Sequence, residues 1–226
     1  MINVRILFLR QINREILLCI RQPSVVLYSV LFFLMVNVFF PLTLSSEYVS
    51  ITSISPGLFW ISILLMCLLS SSVLFIQDYE CGVIEQWLVS GYPLVLMVSA
   101  KIFSYCFLNL LSILIFCPFL ALLFNFNIYE LFIIVLSFIF GSPTIFFLAA
   151  FASALVKRHF QKGALISIIF FPLSIPVIIL GSTIINSSIN NFPFGIYLIV
   201  LLLISLLFMS FLPFVIAEII RINFND

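Results

Sequence analysis

The chain has 226 residues, 65% hydrophobic and 8% charged, with a net charge of +1. A soluble domain carries about 25% charged residues, and no soluble fold of this length could bury so much apolar side chain, so lipid is the solvent for most of this protein. The charges sit in short segments without interleaved aromatics, which argues against a nucleic-acid partner.

Residues 1–24 carry Arg5, Arg10, Arg14 and Arg21 in a helical pattern. Arg10, Arg14 and Arg21 fall on one narrow face, with Ile12, Ile16 and Ile20 off it and Leu7 and Leu18 intruding. The pattern predicts an amphipathic helix on the cytoplasmic membrane surface, its arginines toward lipid phosphates. The apolar run that follows has no small-residue cleavage site at its end, so the first span is expected to be retained.

Six stretches are long and apolar enough to cross a bilayer, at about 25–44, 58–76, 100–124, 131–156, 163–185 and 195–217. The fourth follows the polar turn Asn125–Glu130, and the fifth follows the basic cluster Lys157, Arg158, His159, Gln161 and Lys162. Six spans put all nine Lys and Arg on one side: Arg5, Arg10, Arg14, Arg21, Lys101, Lys157, Arg158, Lys162 and Arg221. The other side keeps Glu47 and Glu130. Basic residues in short loops favour the cytoplasm, so both termini are expected there. The reading is an all-α integral membrane protein, a single membrane domain over 1–226 with six transmembrane helices, an N-terminal interfacial helix and a helix on the cytoplasmic loop between spans two and three.

That loop, residues 77–100, is the most informative segment. Asp78, Glu80 and Glu85 stand on a side whose other loops are basic. Val83, Ile84, Trp87 and Leu88 recur as one apolar helical face, and Gly91 and Pro93 close the helix. The expectation is a short amphipathic helix over 78–90 with acidic ends and an exposed Trp87. Such a helix suits the groove of a partner or the membrane surface.

Within the spans, Asn37, Asn109 and Ser70–Ser72 can bond between helices. Gly141-Ser142-Pro143-Thr144 and Phe171-Pro172-Leu173-Ser174-Ile175-Pro176 read as helix interruptions. Pro143, Pro172 and Pro176 are therefore expected to kink their helices on faces that meet a helix or a cavity. Cys19, Cys67, Cys81, Cys106 and Cys117 show no disulfide or metal spacing and read as packing residues. His159 reads as a solvated loop residue, with no catalytic, metal or cofactor site expected. There is no phosphate-binding Gly-x-x-x-x-Gly-Lys-Ser/Thr motif. Lys101 and Glu218 are the span-associated ionisable groups, both placed near span ends.

Several stretches occur in an order that resembles a known family. They are Phe39-Phe40-Pro41-Leu42; Ser55-Pro56-Gly57-Leu58-Phe59-Trp60; Asp78 through Glu85-Gln86 with Pro93-Leu94; Gly141-Ser142-Pro143-Thr144; and Lys162-Gly163-Ala164 through Pro176. The chain resembles the membrane subunits of ABC exporters and, more closely, the haem exporter B (CcmB) permease family of cytochrome c maturation. It departs from the family mainly in Phe, Ile and Asn content and in the basic Lys157-Arg158-His159-Phe160 segment. The resemblance implies a non-catalytic subunit of the bacterial inner membrane, paired as a homodimer with a separate CcmA-like ATPase. It implies CcmC- and CcmD-like haem-handling subunits and, indirectly, a CcmE-like periplasmic chaperone. Haem is then cargo of the complex, and the segment from Asp78 through Leu88 becomes the ATPase-coupling helix. The alternatives are a general ABC-type export permease for a lipid or other amphipathic substrate, and a membrane-embedded lipid-modifying enzyme. The absence of a carboxylate cluster argues against the enzyme.

Overall fold

The computed structural model describes residues 4–21, 23–43, 51–156 and 162–225. Glu47, and the cluster Lys157, Arg158, His159 and Gln161, lie outside the described residues. Among the described residues the secondary structure is helical: α1 (Val4–Arg21), α2 (Ser24–Thr43), α3 (Ile51–Ser71), α4 (Ile76–Glu80), α5 (Val83–Val89), α6 (Leu94–Leu123), α7 (Ile128–Leu155), α8 (Lys162–Ile189) and α9 (Gly195–Asn225). Six helices, α2, α3, α6, α7, α8 and α9, are long and apolar enough to cross a membrane. The protein is a multi-pass membrane protein.

Several helices outrun the apolar stretches that locate them in the sequence. α3 begins at Ile51, α6 at Leu94, and α9 continues to Asn225. Hydropathy marks the part of a helix that must sit in hydrocarbon, and backbone hydrogen bonding carries the helix beyond it. For α6 the consequence is chemical. Lys101, expected at a span's edge, stands two turns, or roughly 10 Å, inside the helix.

α7 is the central helix. It packs against α3, α6, α8 and α9, and every residue from Gly141 to Ala150 is buried. Its small residues Gly141, Ala149, Ala150, Ala152 and Ala154 let neighbouring backbones approach, which is how helices associate where lipid competes for apolar contact. α1 lies against α6, and α2 against α3 and α6.

One contact fixes three of these helices. Trp60 of α3 is buried, and its indole lies in a notch formed by Gly141 of α7 and Gly181 of α8. A Cβ added at Gly141 would fall 2.3 Å from the ring, and one at Gly181 would fall 2.1 Å from it. Phe138 meets the indole edge-on at a centroid distance of 5.7 Å. At the α6–α7 turn, Phe59 packs edge-on against Phe124 at 5.0 Å, Phe126 at 6.1 Å and Phe138 at 6.2 Å. Each such pair adds about 0.5–1.5 kcal/mol beyond simple burial. The Asn127 N–H donates to Glu130 Oε2 at 2.9 Å, so this solitary carboxylate closes the start of α7.

The proline segments do not interrupt their helices. α7 runs through Pro143, and α8 through Pro172 and Pro176, as continuous helices. Pro143 is buried, whereas Pro172 and Pro176 are exposed on this chain.

Candidate functional site

The chain leaves α3 and forms two short helices in place of the single expected one. α4 and α5 are separated at Cys81–Gly82, where Gly82 adopts φ 68. That left-handed conformation costs an L side chain about 1–2 kcal/mol, so glycine places the corner. The corner turns the apolar face of α5 inward. Ile84 and Trp87 are buried, Trp87 at 6% exposure, and Val83 and Leu88 pack against the same core. The expectation of an exposed Trp87 is therefore overturned: on a short helix lying against a bundle, the largest apolar side chain gains most by facing its own chain. What α5 presents outward is Glu85, Gln86 and Val89, the last 84% exposed, with Glu80 exposed on α4. The Ser90 hydroxyl donates to the Trp87 carbonyl at 2.8 Å and helps close the helix.

Asp78 does not share this exposed surface. It is 4% exposed and forms an ion pair with Lys101 Nζ at 2.6 Å, its buried Oδ2 accepting no hydrogen bond. The same ammonium reaches Glu15 Oε2 of α1 at 3.0 Å. Arg14 joins from the rim, 3.0 Å from Glu15 Oε1 and 3.6 Å from Asp78 Oδ1. Gln11 Nε2 donates to Glu15 Oε1 at 2.8 Å. Two carboxylates and two cations thus meet between α1, α4 and α6 and balance to neutrality. Buried charges persist only when paired and hydrogen-bonded, and removing one partner of such a pair costs about 3–5 kcal/mol.

The cluster walls a cavity of about 110 Å³ that continues along α6 past Ser104 and Tyr105 to Asn109. Ser70 and Tyr105 share a hydrogen bond across α3 and α6. Asn109 Nδ2 donates to the Tyr105 carbonyl at 2.8 Å, leaving its buried Oδ1 without a partner. Asn37 Nδ2 donates to Ser62 Oγ at 2.8 Å, tying α2 to α3. Burial, with the nearby Glu15 carboxylate second, pushes the half-buried Cys19 thiol above its ordinary pKa, against a smaller opposing effect of Lys101. Among the described residues no group of three His, Cys, Asp or Glu is placed to hold a metal ion.

The α1 arginines divide. Arg10 and Arg21 are exposed, whereas Arg14 turns toward Glu15 and Asp78 rather than toward lipid. The buried face of α1 is polar, Gln11 and Glu15, while Leu9, Leu17 and Ile20 point outward. Sequence reasoning missed Glu15 altogether. The signal was available: a lysine inside an apolar helix requires a carboxylate, and Glu15 is the lone acid in an arginine-rich segment.

A family model described as CcmB protein matches residues 6–223. The chain is similar to heme exporter protein B of Pseudomonas aeruginosa, 33% identical over 213 residues, covering 94% of this chain and 96% of that protein. It is 30% identical over 220 residues to heme exporter protein B of Haemophilus influenzae, covering 97% of this chain and 100% of that protein. The protein of that name from Escherichia coli K12 is 30% identical over 217 residues, covering 96% of this chain and 99% of the relative.

Proposed function

The chain belongs to the CcmB protein family, and from that premise we propose that it is the permease subunit of an ABC-type complex in cytochrome c biogenesis. In this reading the protein is non-catalytic. A separate CcmA-like ATPase docks on the α4–α5 segment and drives haem delivery, or release of the haem-loaded CcmE-like chaperone, together with CcmC- and CcmD-like subunits. The chain works as a homodimer in the bacterial inner membrane with both termini in the cytoplasm. Haem is cargo and is held by other members of the complex.

The observation that carries this reading is the outward face of α4–α5. Glu80 and Glu85 are exposed, and among the described residues neither has an ion-pair partner. Unpaired carboxylates beside the exposed Val89 suit a basic, partly apolar groove, where a carboxylate gains most from an arginine or lysine. Ile84 and Trp87 support this face from beneath by fixing α5 on the bundle.

Co-purification of tagged chain with the ATPase tests the proposal. Glu85→Lys should insert normally, lose the ATPase, and leave c-type cytochromes without covalent haem. Trp87→Ala should lower the abundance of the chain itself, because it removes a buried anchor. Wild-type recovery of the ATPase with Glu80→Lys/Glu85→Lys would place the docking surface elsewhere.

A further inference from the structure

We propose that Glu15, Lys101, Asp78 and Arg14 form a clasp that makes α1 and the α4–α5 segment move as one body, with Lys101 as its positioning residue. The mechanical role rests on the reading of α4–α5 as the ATPase-facing segment; the clasp itself does not.

Three observations converge. First, among the described residues Lys101 is the single cation that touches both other elements. Its ammonium pairs with Asp78 of α4 at 2.6 Å and Glu15 of α1 at 3.0 Å, and it stands two turns into α6. Second, the most deeply buried side chains of α1 are polar, beside an edge-on contact of Phe8 with Phe103 of α6 at 6.4 Å. Gln11 and Glu15 are its buried polar side chains, whereas Leu9, Leu17 and Ile20 face outward. An amphipathic helix normally buries its apolar side; here the charge pairs join the Phe8–Phe103 contact in holding α1 to α6, and they reach α4 as well. Third, beyond the cluster's own groups the wall of the adjacent cavity offers Gln77, Ser104 and Asn109 but also Leu18, Val73 and Leu108, so an ion displaced from its partner enters a poorly solvated space.

The consequence is a lever. α5 is short and joined to α4 by one glycine corner, and α4 is held by Asp78. A displacement imposed on the outward face of α5 reaches Asp78 first, then Lys101, then Glu15. Charge pairs at these distances resist separation, because an ion left alone in a poorly solvated interior is strongly disfavoured. α1 is therefore carried with the segment, and the force enters the bundle through α6.

The test measures distances between spin labels on Arg10→Cys of α1 and the native Cys81 beside α5, with Cys19 replaced by Ser. Both label sites are exposed. In the chain purified alone, the wild-type cluster should give one narrow distribution. Glu15→Gln/Lys101→Met keeps charge balance by leaving Arg14 with Asp78, and should give a broad distribution. Lys101→Arg should stay narrow. In the complex with the ATPase, the wild-type distance should be the same without nucleotide and after vanadate trapping, whereas in the double variant it should differ between the two states. The double variant should lower cytochrome c maturation at least tenfold while still recovering the ATPase. A wild-type distance that changes on trapping, or a double variant that keeps the narrow distribution or matures cytochromes normally, overturns the proposal. If the double variant fails to accumulate, the wild-type comparison decides alone. A wild-type chain that recovers no ATPase, or whose deletion leaves maturation intact, defeats the functional reading, while the isolated-chain distances still judge the clasp.

Discussion

Gly181→Ala should be among the most damaging single-methyl additions to this protein. The new Cβ would stand 2.1 Å from Trp60 Cε2, 2.2 Å from Cζ2 and 2.5 Å from Nε1, all far inside van der Waals contact. The obstructing group is a rigid indole with no exposed edge. It cannot withdraw sideways either, because Gly141 closes the opposite wall at a Cβ distance of 2.3 Å and Phe138 stands edge-on. Overpacking a core costs about 1–3 kcal/mol, and a site this confined belongs at the upper end. For a chain of this size that corresponds to roughly 6–12 °C in melting temperature. The assay is thermal melting of detergent-purified protein followed by size-exclusion chromatography. Trp60→Phe removes the second ring from the notch, so Trp60→Phe/Gly181→Ala should recover most of the loss, a coupling expected of groups in direct contact. A Gly181→Ala variant that melts with the wild type, or a loss that Trp60→Phe does not relieve, would refute the reasoning.

Three other outcomes follow from particular residues. A membrane-permeant maleimide should label the exposed Cys81 first, and the buried Cys67, Cys106 and Cys117 only after denaturation. Cys19 should label more slowly than Cys81 and require higher pH, because burial and Glu15 raise its thiol pKa and leave less reactive thiolate at a given pH. Gly82→Ala should cost about 1–2 kcal/mol through its left-handed backbone, loosening α5 and increasing proteolysis between Tyr79 and Val83. A reporter active only in the periplasm should be silent when fused after Asp226 and active when inserted at Ser45–Ser55; the reverse pattern would discard the proposed orientation.

The six spans were legible because lipid imposes a length and an apolarity that hydropathy reads directly, and Glu130 and the turn before it mark one boundary in plain sequence. The loop helix was legible in composition but not in orientation. Its periodicity identified the Val83/Ile84/Trp87/Leu88 face, yet a face has two possible destinations, a partner or the chain's own bundle. The choice depends on the backbone corner at Gly82, which no amphipathic pattern encodes. The clasp was less legible still. Glu15, Asp78 and Lys101 are distant in sequence, and each has an innocent local reading as a leader residue, a helix end or a span edge. The notch around Trp60 joins α3, α7 and α8, and nothing in the composition of those helices sets Gly141 and Gly181 apart from other small residues.

The acidic residues make the strongest argument about where a partner can act. The chain has eight Asp and Glu, six of them among the described residues. Glu130 caps α7 through the Asn127 N–H. Glu218 faces Arg221 one turn away on α9 at 3.8 Å, an exposed pair worth little. Glu15 and Asp78 are consumed by Lys101 and Arg14 in the interior. Among the described residues this leaves Glu80 and Glu85 as exposed carboxylates without an ion-pair partner, both within a few residues of the corner at Gly82. In a chain this poor in charge, exposed carboxylates that pair with no described group of their own protein are the natural candidates for the proposed contact. Their neighbour Asp78 is paired directly with the cation inside α6. Two residues of sequence separate Glu80, on the surface proposed to meet the ATPase, from Asp78 in the clasp, so docking there would act on Lys101 through a short path.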